Sequence, residues 1–343
     1  MSLLEVNDLK MRFPLVGSRK VVQAVNDVSL TLEKGQTLSL VGESGSGKTT
    51  IGRCVLGLIE PSGGTVVFGG QRMGRNCSIR FPSMRGRLQL VFQEPAESLD
   101  PRIKVGQSLA EPLRVLKMNR ADRDKRVLEV ATRVGLSEAV LDKVPGELSG
   151  GQQQRVGIGR AIVTKPELIV LDEPTSALDP TARSEIIDLL VRLQKELETA
   201  YLFISHDLST VRYLSHRVAV LYLGMIVEEA DAATLFARPR HPYSIGLLSS
   251  VLLPDPTLKS RPLVTLEGEI PSPIDLPKGC FLASRCPFAD KHTEETMPPI
   301  SMVGPGHTVR CFKHEEIAAM DRDDDNFDRF QRNAERVLSQ GAV

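Results

Sequence analysis

The sequence predicts an α/β protein built on a mostly parallel sheet, followed by a proline-rich carboxy-terminal extension. Three observations support this prediction. Short apolar runs alternate with helix-compatible segments over residues 1–236, which is typical of a parallel sheet flanked by helices. One of these runs leads into a glycine-rich turn, and the sequence becomes rich in proline from about residue 237.

Length and composition indicate a globular chain of more than one unit. The 343 residues exceed the usual domain of roughly 150 residues, and a content of 41% hydrophobic and 25% charged residues excludes wholesale disorder. The 43 basic and 43 acidic residues balance, so no overall field favours nucleic acid or an anionic membrane. The apolar run from Val218 to Val227 is about half of the roughly 20 residues in a spanning helix, and no signal peptide is recognisable, so we expect a cytosolic chain.

The secondary structure that positions a site follows from periodicity. Apolar runs of strand length are Gln36 to Val41, Gln89 to Phe92, Leu168 to Leu171, Tyr201 to Ser205 and Arg217 to Leu223. A helix is predicted from Thr181 to Glu198, because an apolar face recurs there at helical spacing. The residues of that face are Ile186, Leu190, Leu193 and Leu197.

Prolines interrupt every long periodic pattern after Phe236. We therefore expect a first domain over residues 1–236 and an extension over residues 237–314 with little apolar core of its own. Residues 315–343 combine an acidic patch with a few aromatic residues and are expected to form a solvated tail.

The glycine-rich turn fits the phosphate-loop pattern G-x-x-x-x-G-K-[ST], lying between an apolar run and a helix-compatible stretch. Its glycines let successive N–H groups point at phosphates, and the start of the helix adds positive potential. Lys48 is expected to supply a full charge to the outer phosphates, and Thr49 a hydroxyl to magnesium. The residues expected to hold a nucleotide are Gly42, Ser44, Gly45, Ser46, Gly47, Lys48, Thr49 and Thr50.

Two acids, Asp172 and Glu173, end the buried-strand run that starts at Leu168. A carboxylate at the carboxyl end of such a strand lies where ligands bind in parallel sheets. Asp172 is the expected magnesium partner, and Glu173 is suited to act as general base toward water. GTPases and small-molecule kinases share the phosphate loop, but the sequence has no N-K-x-D guanine motif, which weakens the GTPase interpretation.

The sequence Leu148-Ser149-Gly150-Gly151-Gln152 resembles the signature of ABC transporters. Ser149, Gly150, Gly151 and Gln152 begin a helix and so form a second anion-binding end. The resemblance implies a head-to-tail dimer in which these residues touch the ATP that is held by the phosphate loop of a second ABC ATPase chain. It also implies the ABC fold, with a helical subdomain.

Other positions match the same family. Gln93 resembles the glutamine that reaches magnesium, Asp179 lies in a sequence similar to the loop that crosses the dimer, and His206 resembles the histidine that contacts the γ-phosphate. The resemblance implies ATP and Mg²⁺ as cofactors, with Thr49, Gln93 and Asp172 around the metal. Phe13 is the nearest candidate for stacking on adenine.

The extension resembles that of ATPases serving oligopeptide, dipeptide and nickel importers, through the segments Arg240 to Tyr243, Gly268 to Pro273 and Gly279 to Pro287. This resemblance implies a homo- or heterodimer on the cytoplasmic face of the inner membrane, with two transmembrane permease subunits and an external solute-binding protein. We expect the surface from Gln93 to Arg102 to dock the permease, and we expect no nucleic-acid partner.

Cys280, Cys286 and Cys311 lie in the extension, where the related ATPases carry four cysteines in a pattern that resembles an iron–sulfur site. Thr293, preceded by His292, stands where the third cysteine would fall. Three outcomes stay open: His292 completes an iron–sulfur or zinc site, a three-thiolate cluster forms, or no metal binds. The sequence slightly favours a cluster that helps the extension to fold.

Two rival functions are a soluble ABC ATPase that acts on nucleic acid or ribosomes, and a catalytically silent partner chain. The single cassette and the short separation between Lys48 and Ser149 argue against the first. The intact Glu173 and the intact signature argue against the second.

Overall fold

The computed structural model describes residues 2–74, 84, 86–94, 98–250 and 264–319. An eight-stranded sheet runs through the described residues in the order β11-β12-β10-β9-β3-β8-β7-β6. Its strands are β3 (Thr37–Val41), β6 (Leu88–Val91), β7 (Leu168–Asp172), β8 (Ala200–Ile204), β9 (Arg217–Tyr222), β10 (Met225–Asp231), β11 (Ser301–Gly304) and β12 (His307–Val309). Neighbours within the block β9-β3-β8-β7-β6 pair in parallel, as the sequence predicts.

A second, antiparallel sheet has the order β2-β1-β4-β5 and was not among the predicted strands. It consists of β1 (Ser2–Pro14), β2 (Val21–Glu33), β4 (Gly63–Phe68) and β5 (Gln71–Met73). Register shifts interrupt the pairing of β1 with β2 at several points. These irregularities break the strict alternation by which such strands are recognised in a sequence.

The helices of the described residues are α1 (Lys48–Val55), α2 (Val105–Val115), α3 (Arg120–Arg133), α4 (Gly150–Ile162), α5 (Pro180–Leu197), α6 (Leu208–Leu214), α7 (Ala232–Ala237), α8 (Pro242–Ser250), α9 (Lys291–Glu295) and α10 (His314–Ala319). The prediction of a helix from Thr181 to Glu198 is confirmed to within one residue at each end. Asp179 starts this helix by accepting a hydrogen bond from Ala182 N at 2.9 Å.

The main sheet has a hydrophobic core on each face. Leu38 and Leu40 of β3 join the core that includes the antiparallel sheet and α1, whereas Val41 joins the core that includes the helices. The helices α2, α3 and α4 meet closely at Gly159, where an added Cβ would lie 2.9 Å from Leu109. These three helices form the helical subdomain that the resemblance implies.

The extension continues the main sheet, because β12 pairs antiparallel with β10 through Glu228↔Val309 and Glu229↔Thr308. Tyr243, Phe281 and Leu282 are buried in the helix-side core. The scattered apolar side chains of the extension therefore pack against the first domain. The acidic patch of the expected tail lies outside the described residues. In the part of the chain that the structure describes, no helix has the length and apolar content needed to cross a membrane.

Candidate functional site

The phosphate loop connects β3 to α1 and is held against neighbouring backbone. A Cβ at Gly42 would lie 2.2 Å from Leu221 O, and a Cβ at Gly47 would lie 2.4 Å from Ala24 O. Both glycines have positive φ, 151° and 99°, which side chains rarely adopt. The loop therefore requires glycine at these two positions, while Ser44 and Gly45 at its tip stay exposed.

Lys48 occupies the interior of this loop and is 6% exposed. Its Nζ donates hydrogen bonds to Gly42 O at 2.8 Å, to Glu43 O at 2.9 Å and to Ser46 Oγ at 3.3 Å. Burial lowers the pKa of the Lys48 amine, and the carboxylates of Glu173, Asp172 and Glu43 oppose this shift. A bound phosphate can replace the backbone carbonyls as hydrogen-bond acceptor of the Lys48 ammonium group. The opposite charges strengthen that hydrogen bond.

Thr49 and Asp172 are joined at the carboxyl edge of the sheet. Thr49 Oγ1 donates to Asp172 Oδ1 at 3.0 Å, linking the start of α1 to the end of β7. Burial raises the pKa of Asp172, and the Thr49 hydrogen bond partly offsets that shift. A hydroxyl and a desolvated carboxylate that face each other are oxygen donors of the kind that Mg²⁺ prefers.

Glu173 is the meeting point of three segments. His206 Nδ1 lies 3.1 Å from one of its carboxylate oxygens, and Gln93 Nε2 donates to the other at 3.3 Å. The Glu173 backbone has a φ of 46° and its N–H donates to Ile204 O at 2.8 Å. The left-handed backbone is tolerated here because the β8 hydrogen bond holds it, and it keeps the carboxylate at the edge of the sheet.

The signature residues begin α4, where Ser149 and Gln152 form a capping box. Gln152 N donates to Ser149 Oγ at 3.3 Å, and Ser149 N donates to Gln152 Oε1 at 3.1 Å. Ser149 and Gly150 are exposed, and a Cβ at Gly151 would lie 3.4 Å from Ala182 in the first turn of α5. The helix start faces outward beside the Asp179 cap, which leaves its remaining N–H groups open to a ligand.

Phe13, the candidate for base stacking, lies at the end of β1 opposite Val22 and is 37% exposed. Thr50, which follows the loop in α1, is half-buried. An accessible aromatic ring on the antiparallel sheet is compatible with base stacking.

The structure adds a contact to the loop that the sequence reasoning missed. Glu43, the second loop residue, donates its N–H to Tyr243 Oη at 2.8 Å. The Glu43 carboxylate pairs with Arg285 through two hydrogen bonds, of 3.0 and 3.2 Å. Tyr243 and Arg285 both belong to motifs recognised in the extension, but their distance in sequence from Glu43 gave no signal of this contact.

The three cysteines of the extension lie close together. Cys280, Cys286 and Cys311 line one cavity of about 20 Å³, which has room for about one water molecule. Burial raises the pKa of all three thiols, that of Cys311 to about 12, and thiols bind metals as thiolates. This arrangement gives no support to the iron–sulfur cluster that the sequence favours.

The expected fourth ligand, His292, and its neighbour Thr293 both make other contacts. The His292 ring packs against Phe312, with centroids 4.5 Å apart and the ring planes tilted by 47°. Thr293 lines the cavity, but its hydroxyl donates to Asp290 O at 2.7 Å and accepts from Asp290 N at 2.8 Å. Among the described residues, no group of three or more His, Cys, Asp or Glu side chains is arranged to hold a metal ion. The expectation of a cluster is therefore unsupported, and His292 as its fourth ligand stays a prediction.

Two known families match parts of the chain. The family described as ABC transporter matches residues 25–176, which include the phosphate loop, the signature and the acidic strand end. The family described as oligopeptide/dipeptide transporter, C-terminal region, matches residues 227–292.

Curated relatives are similar over nearly the whole chain. The oligopeptide transport ATP-binding protein OppF of Escherichia coli is 40% identical over 91% of this chain and 96% of its own length. The oligopeptide transport ATP-binding protein AppF of Bacillus subtilis is 42% identical over 90% of this chain and 97% of its own. A probable peptide ABC transporter ATP-binding protein, y4tS of Sinorhizobium fredii, is 41% identical over 93% and 92%.

Solved structures share the fold of the first domain. The ATP-binding cassette MJ0796, in a dimeric post-hydrolysis state bound to ADP and Pi, superposes with a TM-score of 0.60 at 28% identity, covering 67% of this chain and 98% of that one. CbiO1 from Clostridium perfringens, part of the transporter complex cbiONQ, gives a TM-score of 0.61 at 28% identity, covering 72% and 95%. The chain belongs to the ABC transporter ATP-binding protein family, in the group that carries the oligopeptide/dipeptide transporter carboxy-terminal region.

Proposed function

We propose that this chain is the ATP-hydrolysing subunit that powers import of peptides or related small solutes through a membrane ABC transporter. The observation that carries the proposal is the convergence of Lys48, Thr49, Asp172 and Glu173 at one edge of the sheet. A phosphate cradle, a magnesium-type oxygen pair and a carboxylate are thereby assembled side by side. The extension and the names of the relatives direct the ATPase toward peptide import.

The residues at this edge fit Mg²⁺ with ATP. Thr49, Asp172 and Gln93 offer a hydroxyl, a carboxylate and an amide oxygen, while Lys48 and the loop N–H groups bind the phosphates. Bound Mg²⁺ neutralises charge on the phosphate oxygens. Desolvation raises the pKa of the partly buried Asp172 carboxyl group. A nearby cation would stabilise its ionised form.

Glu173 acts as general base toward the attacking water. Its contacts with Gln93 and His206 orient the carboxylate toward the solvent side of the sheet edge. Proton removal by a positioned carboxylate contributes typically ~10² to 10⁴ in rate. His206 contacts the γ-phosphate, and its side chain, which is 64% exposed, is accessible to bound ATP.

The catalytic unit is a head-to-tail pair of ABC ATPase chains. Ser149, Gly150, Gly151 and Gln152 present an outward-facing helix start, and this end contacts the ATP of the partner chain. Asp179 lies beside it and crosses the dimer. ATP binding closes the pair, and hydrolysis with phosphate release opens it.

The remaining parts of the assembly are two transmembrane permease subunits and an external solute-binding protein, with this chain on the cytoplasmic face of the inner membrane. Residues 93–102 form the permease-docking surface. In its described part, Asp100 and Arg102 form an exposed ion pair whose Oδ2–Nη2 distance is 3.0 Å. We assign residues 1–236 to the nucleotide-binding domain, 237–314 to a regulatory extension and 315–343 to the tail.

The test is reconstitution of the full chain with its permease and solute-binding protein in vesicles. We expect ATP hydrolysis that rises when peptide-loaded binding protein is added, together with peptide uptake. Permease-free chain is the control and should hydrolyse ATP slowly. Stimulation by RNA or ribosomes in place of the loaded binding protein would support the rival function and overturn this one.

A further inference from the structure

The Glu43 side chain creates an electrostatic problem for the phosphate loop. Its backbone carbonyl accepts a hydrogen bond from Lys48 Nζ at 2.9 Å, so the residue lies beside the cation that receives the phosphates. The Glu43 side chain is only 30% exposed. A partly desolvated carboxylate at this position repels a polyphosphate, because charges interact strongly where water is excluded.

Arg285, in the extension, neutralises the Glu43 carboxylate by pairing with it. It is the last residue of the short 3₁₀ turn Ala283–Arg285 and binds both Glu43 oxygens, at 3.0 and 3.2 Å. Its side chain is 9% exposed. Two parallel N–H···O bonds form the planar pairing that arginine makes with carboxylates and lysine cannot reproduce.

The surroundings hold this arginine in place. Arg285 Nη1 lies 3.5 Å from Tyr222 Oη, and its guanidinium carbon lies 5.8 Å from the centre of the Tyr222 ring. Tyr243 packs against Tyr222, with centroids 4.7 Å apart, and accepts the Glu43 N–H. Two residues of the extension, Arg285 and Tyr243, therefore engage the side chain and the backbone of the same loop residue.

We propose that Arg285 is a positioning residue for nucleotide binding: by pairing with Glu43, the extension neutralises a carboxylate inside the phosphate loop and allows that loop to accept ATP. This inference rests on the proposed function only in taking ATP as the ligand. It gives the extension a direct part in nucleotide affinity. Displacement of the extension exposes Glu43 and weakens ATP binding.

The test compares the full-length chain with Arg285→Met, Glu43→Gln and the double variant, each titrated with ATP and with ADP in the presence of Mg²⁺. We expect Arg285→Met to weaken ATP binding by about tenfold, because the partly buried Glu43 carboxylate would lose its cation and repel the phosphates. The loss for ADP should be smaller, because ADP carries less charge. Glu43→Gln in the Arg285→Met background should restore ATP affinity to within about threefold of the unmodified chain.

Arg87→Met is the matched control. Arg87 pairs with Glu167 through two hydrogen bonds, but this pair lies at the amino ends of β6 and β7, at the edge opposite the phosphate loop. Its removal should leave ATP affinity unchanged. This control distinguishes the loss of any arginine–glutamate pair from the loss of the Arg285–Glu43 pair.

Two results would overturn the inference: ATP affinity in Arg285→Met equal to that of the unmodified chain, or a double variant as weak as Arg285→Met. An equal loss for ATP and ADP would also contradict it, since a merely misfolded extension does not discriminate between nucleotide charges. Failure of the unmodified chain to bind ATP would instead refute the proposed function.

Discussion

The cassette and the extension specify their sites in opposite ways. In the cassette, residues 1–236, the residues around Lys48 belong to one loop, and those around Glu173 come just after the ends of strands. In the extension, Tyr243 and Arg285 acquire a role by contact with Glu43, which lies 200 and 242 residues earlier in the chain. The difference teaches that short sequence motifs identify the residues that carry out the chemistry, whereas long-range contacts determine which other residues influence them.

The two regions also differ in how fully their polar groups are used. In the cassette, Thr49, Gln93 and His206 converge on two carboxylates that point to one edge. In the extension, three thiols surround a cavity that holds about one water, and Thr293 is bound to its own helix cap. If this contrast is correct, substitutions in the cassette change chemistry, whereas substitutions in the extension change stability or affinity.

The largest expected effect is that of Glu173→Gln. Removal of the base should lower ATP hydrolysis in the assembled transporter by at least ~10²-fold. ATP binding should persist, because Lys48 and the loop stay intact. Steady-state hydrolysis and equilibrium ATP binding are the two measurements, and a hydrolysis rate near that of the unmodified chain would remove Glu173 from its role.

The dimer argument can be tested by placing Ser149→Arg and Glu173→Gln in dimers of differently tagged chains. With both substitutions in one chain, each composite site carries one defect, so hydrolysis should be lost. With one substitution in each chain, both defects fall in the same site and the other site stays intact, so hydrolysis should persist. The reverse pattern would mean that the signature serves the ATP of its own chain.

A smaller effect concerns the acid stability of the extension. Burial lowers the pKa of His241 from 6.5 to about 4, so the unfolded chain takes up a proton first as the pH falls. The free energy of unfolding should therefore decrease between pH 6.5 and 4, by up to about 3 kcal/mol, and this loss should stop below pH 4. Denaturant unfolding across that range should show a weaker decrease in His241→Gln, whereas the exposed His292→Gln should behave like the unmodified chain.

The smallest expected change tests the incomplete thiol set. Thr293→Cys adds a fourth thiol to the cavity that Cys280, Cys286 and Cys311 line. It also removes the Thr293 hydroxyl from its hydrogen bonds with Asp290, at a cost of about 1 kcal/mol. Iron, zinc and sulfide analysis after anaerobic purification should show more metal in Thr293→Cys than in the unmodified chain. Equal metal contents would mean that the fourth thiol is not what the site lacks.

Local sequence was sufficient for the parallel strands, the helix Pro180–Leu197 and the phosphate loop. Each of these elements depends on residues within a few positions of one another, such as the continuous buried run of β3 or the Asp179 cap. The antiparallel sheet was missed because its irregular register obscures the period of two along β1. The docking of the extension was missed because β12 pairs with β10 across some eighty residues of proline-rich chain.

By itself the sequence determined the fold class and the resemblance to peptide importers. It also predicted the nucleotide-binding residues, since glycine, lysine and carboxylate positions are set by local backbone geometry and by the chemistry of phosphate. Only the tertiary structure decided that Cys280, Cys286 and Cys311 line one small cavity and that Arg285 meets Glu43. Those outcomes depend on distances between side chains that chain order does not constrain. Tertiary packing brings such groups together, and the sequence pattern of a single segment does not indicate these contacts.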